Sequence, residues 1–410
     1  MKQIFRSLRT RNYRIWTIGS VCSNVGTWMQ FTAQDWLVLT AMTHHDATAV
    51  GIVMALQLAP PLLFLPWTGH VADRFEKRLL LMGTQAAMGT LSVGLGALIL
   101  TGHARLWHVD LFAFVFGCVA AFDAPARQTF VGELVGEENL SNAVALNSMS
   151  FNVGRMIGPA VGGVCIAEIG SGWAFVLNGA SFFIVFISLQ FLRVKELFRS
   201  QHRSRETQGL LAGFRYVWNR PDLRAILVML FLIGTFGFNF PIFISTMAVQ
   251  VFHVGAHGYG MLTSIMAMGT LIGAALAAGR ETATFSTLPV GAAIFTGGCL
   301  LGAFAPDYAV FGLALVVLGI SSLTFTATTS SLMQMTSDPG MRGRVIAIRL
   351  AVFAGGTPLG APIVGWVANH FGARWALGVG GLAGASAAVV ALMFLAKANE
   401  SGARDRMASK

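Results

Sequence analysis

Apolar residues fill this chain in long blocks separated by short polar stretches. A helix crossing a membrane needs about 20 such residues to span a hydrocarbon core of about 30 Å. The pattern predicts twelve spans, at 14–40, 50–70, 79–101, 108–126, 143–168, 173–193, 224–251, 259–279, 287–305, 308–330, 344–368 and 375–396. A long polar stretch, 194–223, divides them six and six. The reading is therefore an all-α integral membrane protein. Its first half is 1–193, its basic cytoplasmic linker 194–223, its second half 224–397 and its cytoplasmic tail 398–410.

Composition strengthens this picture. The 410 residues are 55% hydrophobic and only 11% charged, with mean hydropathy +0.66, whereas soluble domains carry about 25% charged residues. Cys22, Cys118, Cys165 and Cys299 sit inside apolar spans without metal-ligand spacing, so they read as small core residues. The net charge of +10 first suggests a nucleic-acid partner, but its distribution argues otherwise. With the N-terminus in the cytoplasm, all but three of the 28 lysines and arginines fall on the cytoplasmic side; the exceptions are Arg105, Arg155 and Arg374. That is the positive-inside bias, and it predicts both termini in the cytoplasm. The basic N-terminus is followed by an apolar run too long for a cleavable signal peptide.

The halves resemble one another. A shift of 202 residues superposes Gly154 on Gly356, Gly158 on Gly360, Gly163 on Gly365, Gly170 on Gly372, Trp173 on Trp375, Ala174 on Ala376 and Gly179 on Gly381. Spans five and six thus repeat as eleven and twelve in the same orientation, which gives two parallel six-helix halves.

One charged block interrupts the apolar pattern, GHVADRFEKR at 69–78, in the loop after span two. It resembles the signature of the major facilitator superfamily, with Glu76 standing where that pattern often has glycine. The resemblance implies a cytoplasmic latch. Gly69 permits a close helix approach, Asp73 faces the start of another helix, and Arg74 and Arg78 bind acidic or carbonyl partners. The plainer reading is a basic loop that only sets topology. At the end of span four, AAFDAPARQTF offers Arg127 as a partner for Asp73 and Asp123 for Arg74. The alternative is that Pro125 ends the helix there.

Span five contains GRMIGPAVGG, residues 154–163, which resembles the signature of exporters and antiporters in the same superfamily. Gly154 and Gly158 form a small-residue packing face. Pro159 bends the helix, and Gly162 with Gly163 accommodates the bend. A further glycine of the longer signature is Ala145 here.

Few polar groups lie deep in the spans. Arg155 is near the middle of span five, where an arginine costs about 2.5–3.5 kcal/mol on the lenient scale and needs a partner or a cavity. Ser148 and Asn152 share its stripe. Its readings are anion binding, proton coupling or a structural pair, for example with Asp123. Asp35 ends a stripe of Ser20, Asn24, Thr27, Gln30 and Gln34 on span one; it reads as a proton-binding carboxylate or a solvated rim residue. Asn239 in span seven and the hydroxyls of 321–334 are further candidates for the pathway, though most such hydroxyls bond back to their own helix. His44, His45, His253 and His257 read as loop residues. No phosphate-binding loop, metal cluster or nucleophile–base pair emerges, so neither a cofactor nor an enzymatic activity is expected.

The resemblance covers the whole chain. It is similar to the branch of the superfamily that holds enterobactin exporters and transmembrane secretion effectors, on WLVLTAMT (36–43), VGIVMALQLAPPLL (50–63), SFNVGRMIGPAVGG (150–163) and MRGRV (341–345). It implies a monomeric, multi-pass protein of the bacterial cytoplasmic membrane. It further implies export of a small amphipathic molecule by alternating access, with protons as the coupling ion. Two other readings stay open: an uptake permease or facilitator, and a non-transporting scaffold or sensor.

Overall fold

The computed structural model describes residues 5–198, 210–279 and 284–408. Helices dominate. They are α1 (Arg11–Leu37), α2 (Ala47–Leu63), α3 (Leu65–Arg74), α4 (Lys77–Leu100), α5 (Leu106–Val135), α6 (Glu137–Ile169) and α7 (Ser171–Gln190). After the linker come α8 (Leu210–Asn219), α9 (Pro221–Leu232), α10 (Phe240–Thr246), α11 (Ala256–Ala278), α12 (Thr287–Ala303), α13 (Tyr308–Thr336), α14 (Arg342–Phe371) and α15 (Ala373–Ala408). Wider π turns extend α1 over Val38–Met42, follow α9 at Ile233–Gly237 and extend α10 over Met247–Val251. Among the described residues, eight helical segments are long and apolar enough to cross a membrane, and α2 and α12 are shorter apolar helices.

The chain forms two compact units. The first comprises residues 1–205 and 253–264, the second 206–252 and 265–410. In the first, α1 packs on α6 and α7, α4 on α7, and α2 on α5. In the second, α12 packs on α15 and α13, and α14 on the π turn 233–237.

The repeat has a structural expression in each unit. Gly170 and Gly372 adopt φ of 93° and 100°, a left-handed backbone that glycine takes without a Cβ clash. Each separates two long helices, α6 from α7 and α14 from α15. A Cβ on Gly154 would lie 2.7 Å from the Asn24 carbonyl carbon, and one on Gly158 2.8 Å from the Val25 oxygen. In the second unit a Cβ on Gly356 would lie 2.8 Å from the Gly234 carbonyl carbon, and one on Gly360 would overlap the Thr235 oxygen. Both pairs of glycines bring a helix into backbone contact within its own unit, α6 with α1 and α14 with the π turn 233–237.

Several sequence-based boundaries need correction. Span four continues through Pro125 to Val135. A proline removes one helical bond but does not break a helix held on several sides, and Thr129 Oγ1 caps the Pro125 carbonyl at 2.9 Å. Span two breaks at Phe64, after the donor-poor pair Pro60–Pro61. Span seven is discontinuous, parting at Phe238 and Asn239 before Pro241. Part of the linker forms α8, which packs on α14. The helix of span twelve runs on through the predicted tail to Ala408. His257 lies in the first turn of α11, not in a loop.

Candidate functional site

The stripe on α1 becomes a ladder of polar contacts in the first unit. Asn24 Nδ2 donates to Ser150 Oγ of α6 at 2.9 Å. Two turns on, Gln30 Oε1 accepts from Asn178 Nδ2 of α7 at 2.9 Å. Gln34 Nε2 donates to Gln57 Oε1 of α2 at 2.7 Å. Asp35 Oδ2 accepts from the hydroxyl of Tyr259, in the first turns of α11, at 3.2 Å. From residue 24 to residue 35 the ladder covers about 16 Å of helix axis at 1.5 Å per residue.

Asp35 is 7% exposed and Tyr259 is 1% exposed. The Tyr259 ring stacks on Trp36, with centroids 5.9 Å apart. Among the described residues no cation pairs with Asp35; its side-chain partner is this one neutral hydroxyl. The rim reading is excluded for this conformation, because the carboxylate is enclosed. Ser20 Oγ, Gln30 Nε2 and Gln34 Oε1 are also buried and unpartnered. Buried polar atoms nearly always find a hydrogen-bond partner, so these atoms favour a water or a polar solute beside α1.

The span-five signature supports this ladder from behind. A Cβ on Gly162 would lie 3.0 Å from the Met29 oxygen, and one on Gly163 2.7 Å from the Ala256 oxygen. A Cβ on Gly260 would overlap the Pro159 oxygen. The carbonyl of Pro159 thus faces a glycine one residue after Tyr259. Close packing at the signature fixes the start of α11 and with it the Tyr259 hydroxyl.

Arg155 is half-buried, with its guanidinium 6.0 Å from the centre of the Trp28 ring. Among the described residues it forms no ion pair, and Asp123 is occupied elsewhere. Its partner is an aromatic face, an arrangement stabilised by ring–cation attraction. Asn152 turns its amide back to the Ser148 carbonyl at 2.9 Å. Asn239 belongs to the second unit, fully buried at the break in span seven, where its Nδ2 donates to the Thr235 oxygen at 2.7 Å.

At the charged block, the side chain of Asp73 and the surroundings of Gly69 lie outside the described residues. Arg74 is exposed. Lys77 Nζ pairs with Glu133 Oε1 of α5 at 2.6 Å, and Arg78 Nε donates to the Leu189 oxygen of α7 at 2.8 Å. Asp123 takes three partners, none of them Arg74: Thr84 Oγ1 at 2.6 Å, Gln85 Nε2 at 2.8 Å and Arg127 Nε at 3.1 Å. Arg127 also lies over the Trp16 ring, 5.4 Å from its centre. The two residues expected to reach toward 73 and 74 therefore pair with one another, four apart on α5. An apolar cavity of about 430 Å³ adjoins Thr84, lined by Phe75, Glu76, Leu79 and Phe122.

These features sit in a chain that matches, over residues 3–410, the family described as transmembrane secretion effector. The chain belongs to that family. It is a multi-pass membrane protein of the major facilitator superfamily. It is 25% identical over 351 residues to the staphyloferrin A transporter of Staphylococcus aureus, covering 85% of the chain and 87% of that protein. It is 24% identical over 326 residues to the enterobactin exporter EntS of Citrobacter koseri, covering 79% and 78%. A solved structure of a POT family transporter in complex with 5-aminolevulinic acid superposes with TM-score 0.74 at 12% identity, covering 94% of this chain and 96% of that one. That likeness concerns the fold alone.

Sequence reasoning does not single out Tyr259, Gln57 or Asn178, the neutral partners of the α1 stripe. An uncharged residue in an apolar span gives no signal until a polar stripe is set against it. Arg349 counts with the cytoplasmic charges after span ten in the sequence, yet the structure buries it inside α14 at 7% exposure. Its position within the apolar run 344–368 is the available clue.

Proposed function

We propose that this protein is a secondary transporter exporting a small organic molecule, of siderophore or similar metabolite type, across the bacterial cytoplasmic membrane. A bound solute is exposed alternately to the two sides, and proton influx drives the cycle. The named activities of the two relatives support export and the class of solute. Twelve spans in two parallel halves, 1–193 and 224–397, with both termini and the linker cytoplasmic, follow from the repeat and the charge bias. The protein acts as a monomer.

The observation that carries the mechanism is Asp35: an enclosed carboxylate with one neutral partner and no described cation. Such a group holds a proton when water and cations are kept from it and yields the proton when they reach it. The polar atoms of Asn24, Gln30 and Gln34 line the route beside it. Arg155, held by Trp28, receives a negative group of the solute, with Asn152 beside it and Asn239 serving in the second unit. The block at 69–78, with Asp123 and Arg127, forms the cytoplasmic latch, and Lys77–Glu133 anchors it to α5. The signature glycines Gly154, Gly158, Gly162 and Gly163 with Pro159 hold the Asp35–Tyr259 contact closed.

The test uses inverted membrane vesicles and the siderophores of the producing organism. Uptake into vesicles acidified inside is expected, with collapse when the pH gradient is dissipated. In Asp35→Asn, gradient-driven uptake is lost while solute exchange without a gradient survives. Accumulation indifferent to the gradient in the unaltered protein removes the antiport reading and leaves a facilitator.

A further inference from the structure

The second unit encloses a cation that none of the described residues neutralises. Arg349 lies seven residues into α14, about 10 Å along the axis from Arg342 at 1.5 Å per residue. Its Nη2 donates to the Thr326 oxygen of α13 at 2.7 Å, and its buried Nε has no partner.

Among the described residues, the neighbouring elements supply no free counter-charge. The segments packed on α14 are α8, α9, the π turn 233–237, α10, α13 and α15. Neither α8, the π turn, α10, α13 nor α14 itself contains an Asp or Glu, and α15 has none before residue 400. The one carboxylate on α9, Asp222, is gripped from both sides by Arg220, at 3.0 Å from Nε and 2.8 Å from Nη2. That bond raises the Arg220 pKa, since the carboxylate favours the charged guanidinium. Asp338, between α13 and α14, is exposed and forms no described pair with Arg349. Up to residue 397 the other charges on these elements are cations: Arg215, Arg224, Arg342, Arg374 and Lys397 are exposed, and Arg344 is half-buried.

A guanidinium stays protonated and carries five donors in a planar fork. Enclosing it without an anion is among the costliest arrangements in a protein. A single carbonyl satisfies one donor and offers no charge. The fork matches the two oxygens of a carboxylate or phosphate. We propose that Arg349 is an oxyanion-binding residue of the second unit, which takes a carboxylate or phosphate group. The site is separate from Arg155, whose cation is held by an aromatic ring. It extends the export reading by giving the second unit an anion-binding group of its own, and binding itself does not depend on that reading.

The test is equilibrium binding to the full-length protein, purified in a phosphate-free maltoside detergent. Calorimetric titrations at fixed ionic strength use succinate, inorganic phosphate and a short-chain phosphatidylglycerol. Saturable binding of at least one is expected. Arg349→Lys weakens it about tenfold, because the fork is lost while the charge remains. Arg349→Gln abolishes it, and the exposed Arg342→Gln leaves it unchanged. If Arg349→Gln does not fold, Arg349→Lys decides. Binding of succinate or phosphate that phosphatidylglycerol does not displace assigns the site to a solute. Displacement assigns it to a lipid headgroup; either result upholds an oxyanion site. Equal affinity in the unaltered protein and the Arg349 variants overturns the proposal, as does the absence of saturable heat with all three ligands. No pH gradient enters the measurement, so its failure is separate from failure of proton-driven export.

Discussion

Tyr259 donates its hydroxyl to Asp35 across 3.2 Å, joining the start of α11 to the end of α1 by one hydrogen bond inside the first unit. Phenylalanine at 259 keeps the ring on Trp36 and removes only the donor. Gradient-driven transport is expected to fall several-fold in Tyr259→Phe and at least about tenfold in Asp35→Asn, a loss of about 1.4 kcal/mol or more in the driven step. The double variant should be no slower than Asp35→Asn alone, because residues acting through one bond are not additive. Initial rates in inverted vesicles, corrected for the amount of protein, provide the check.

The repeat glycines make a second prediction. Gly360→Ala forces a methyl group into the Thr235 carbonyl, and Gly158→Ala forces one against Val25. Each should destabilise by about 1–3 kcal/mol, the usual cost of overpacking. Gly94 on α4 has nothing within 4 Å of the place a methyl group would take. Gly94→Ala should be neutral or stabilise by about 0.5–1 kcal/mol, because alanine loses less backbone freedom in a helix. Thermal unfolding in detergent, followed by size-exclusion chromatography, compares the three.

The Asp123 network predicts an asymmetry. Arg127→Leu leaves an enclosed carboxylate with two neutral donors and should cost about 1.5–3 kcal/mol, the range for a bond to a charged group. Asp123→Asn keeps an acceptor for Thr84 and Gln85 and leaves Arg127 over Trp16, so it should cost less. Adding Asp123→Asn to Arg127→Leu should recover part of the stability. A double-mutant cycle on unfolding temperature measures the coupling. Arg127→Leu also examines the latch together with Asp73→Asn: if both transport normally, the block at 69–78 only sets topology.

Orientation has its own test. With Cys22 and Cys118 replaced by serine, a cysteine at Arg105 or Arg374 should react with an impermeant maleimide in intact spheroplasts. A cysteine at Glu76 should react only after the membrane is opened. Labelling at 76 from outside reverses the proposed topology.

Much of the helical order was legible because burying apolar surface in a bilayer imposes a length on every block. The glycine register was legible for a different reason: Gly170 and Gly372 share a backbone conformation that few residues adopt. The failures have physical causes as well. A stop at Pro125 was the alternative reading, but α5 continues past it to Val135, packed on several neighbours. The break at Asn239 left no mark in hydropathy, since Phe238 and Phe240 keep the segment apolar on either side. The α1 stripe pointed to Asp35, while Tyr259 became visible only when folding brought residues 224 positions apart together. Charge pairing was the least legible feature. Asp123 and Arg127 satisfy each other locally at i, i+4, a solution as compatible with the sequence as any longer-range pair.

The absence of carboxylates from α13 and α14, which isolates Arg349, has a temporal consequence. Among the described residues, the apolar segments of the second unit hold no buried acid for a step in acidity to address, whereas the first holds Asp35 and Asp123. A pH jump is thus a one-sided stimulus. In a stopped-flow record, tryptophans near Asp35, such as Trp36, should respond first, and any later signal from the second unit times the relay of that message.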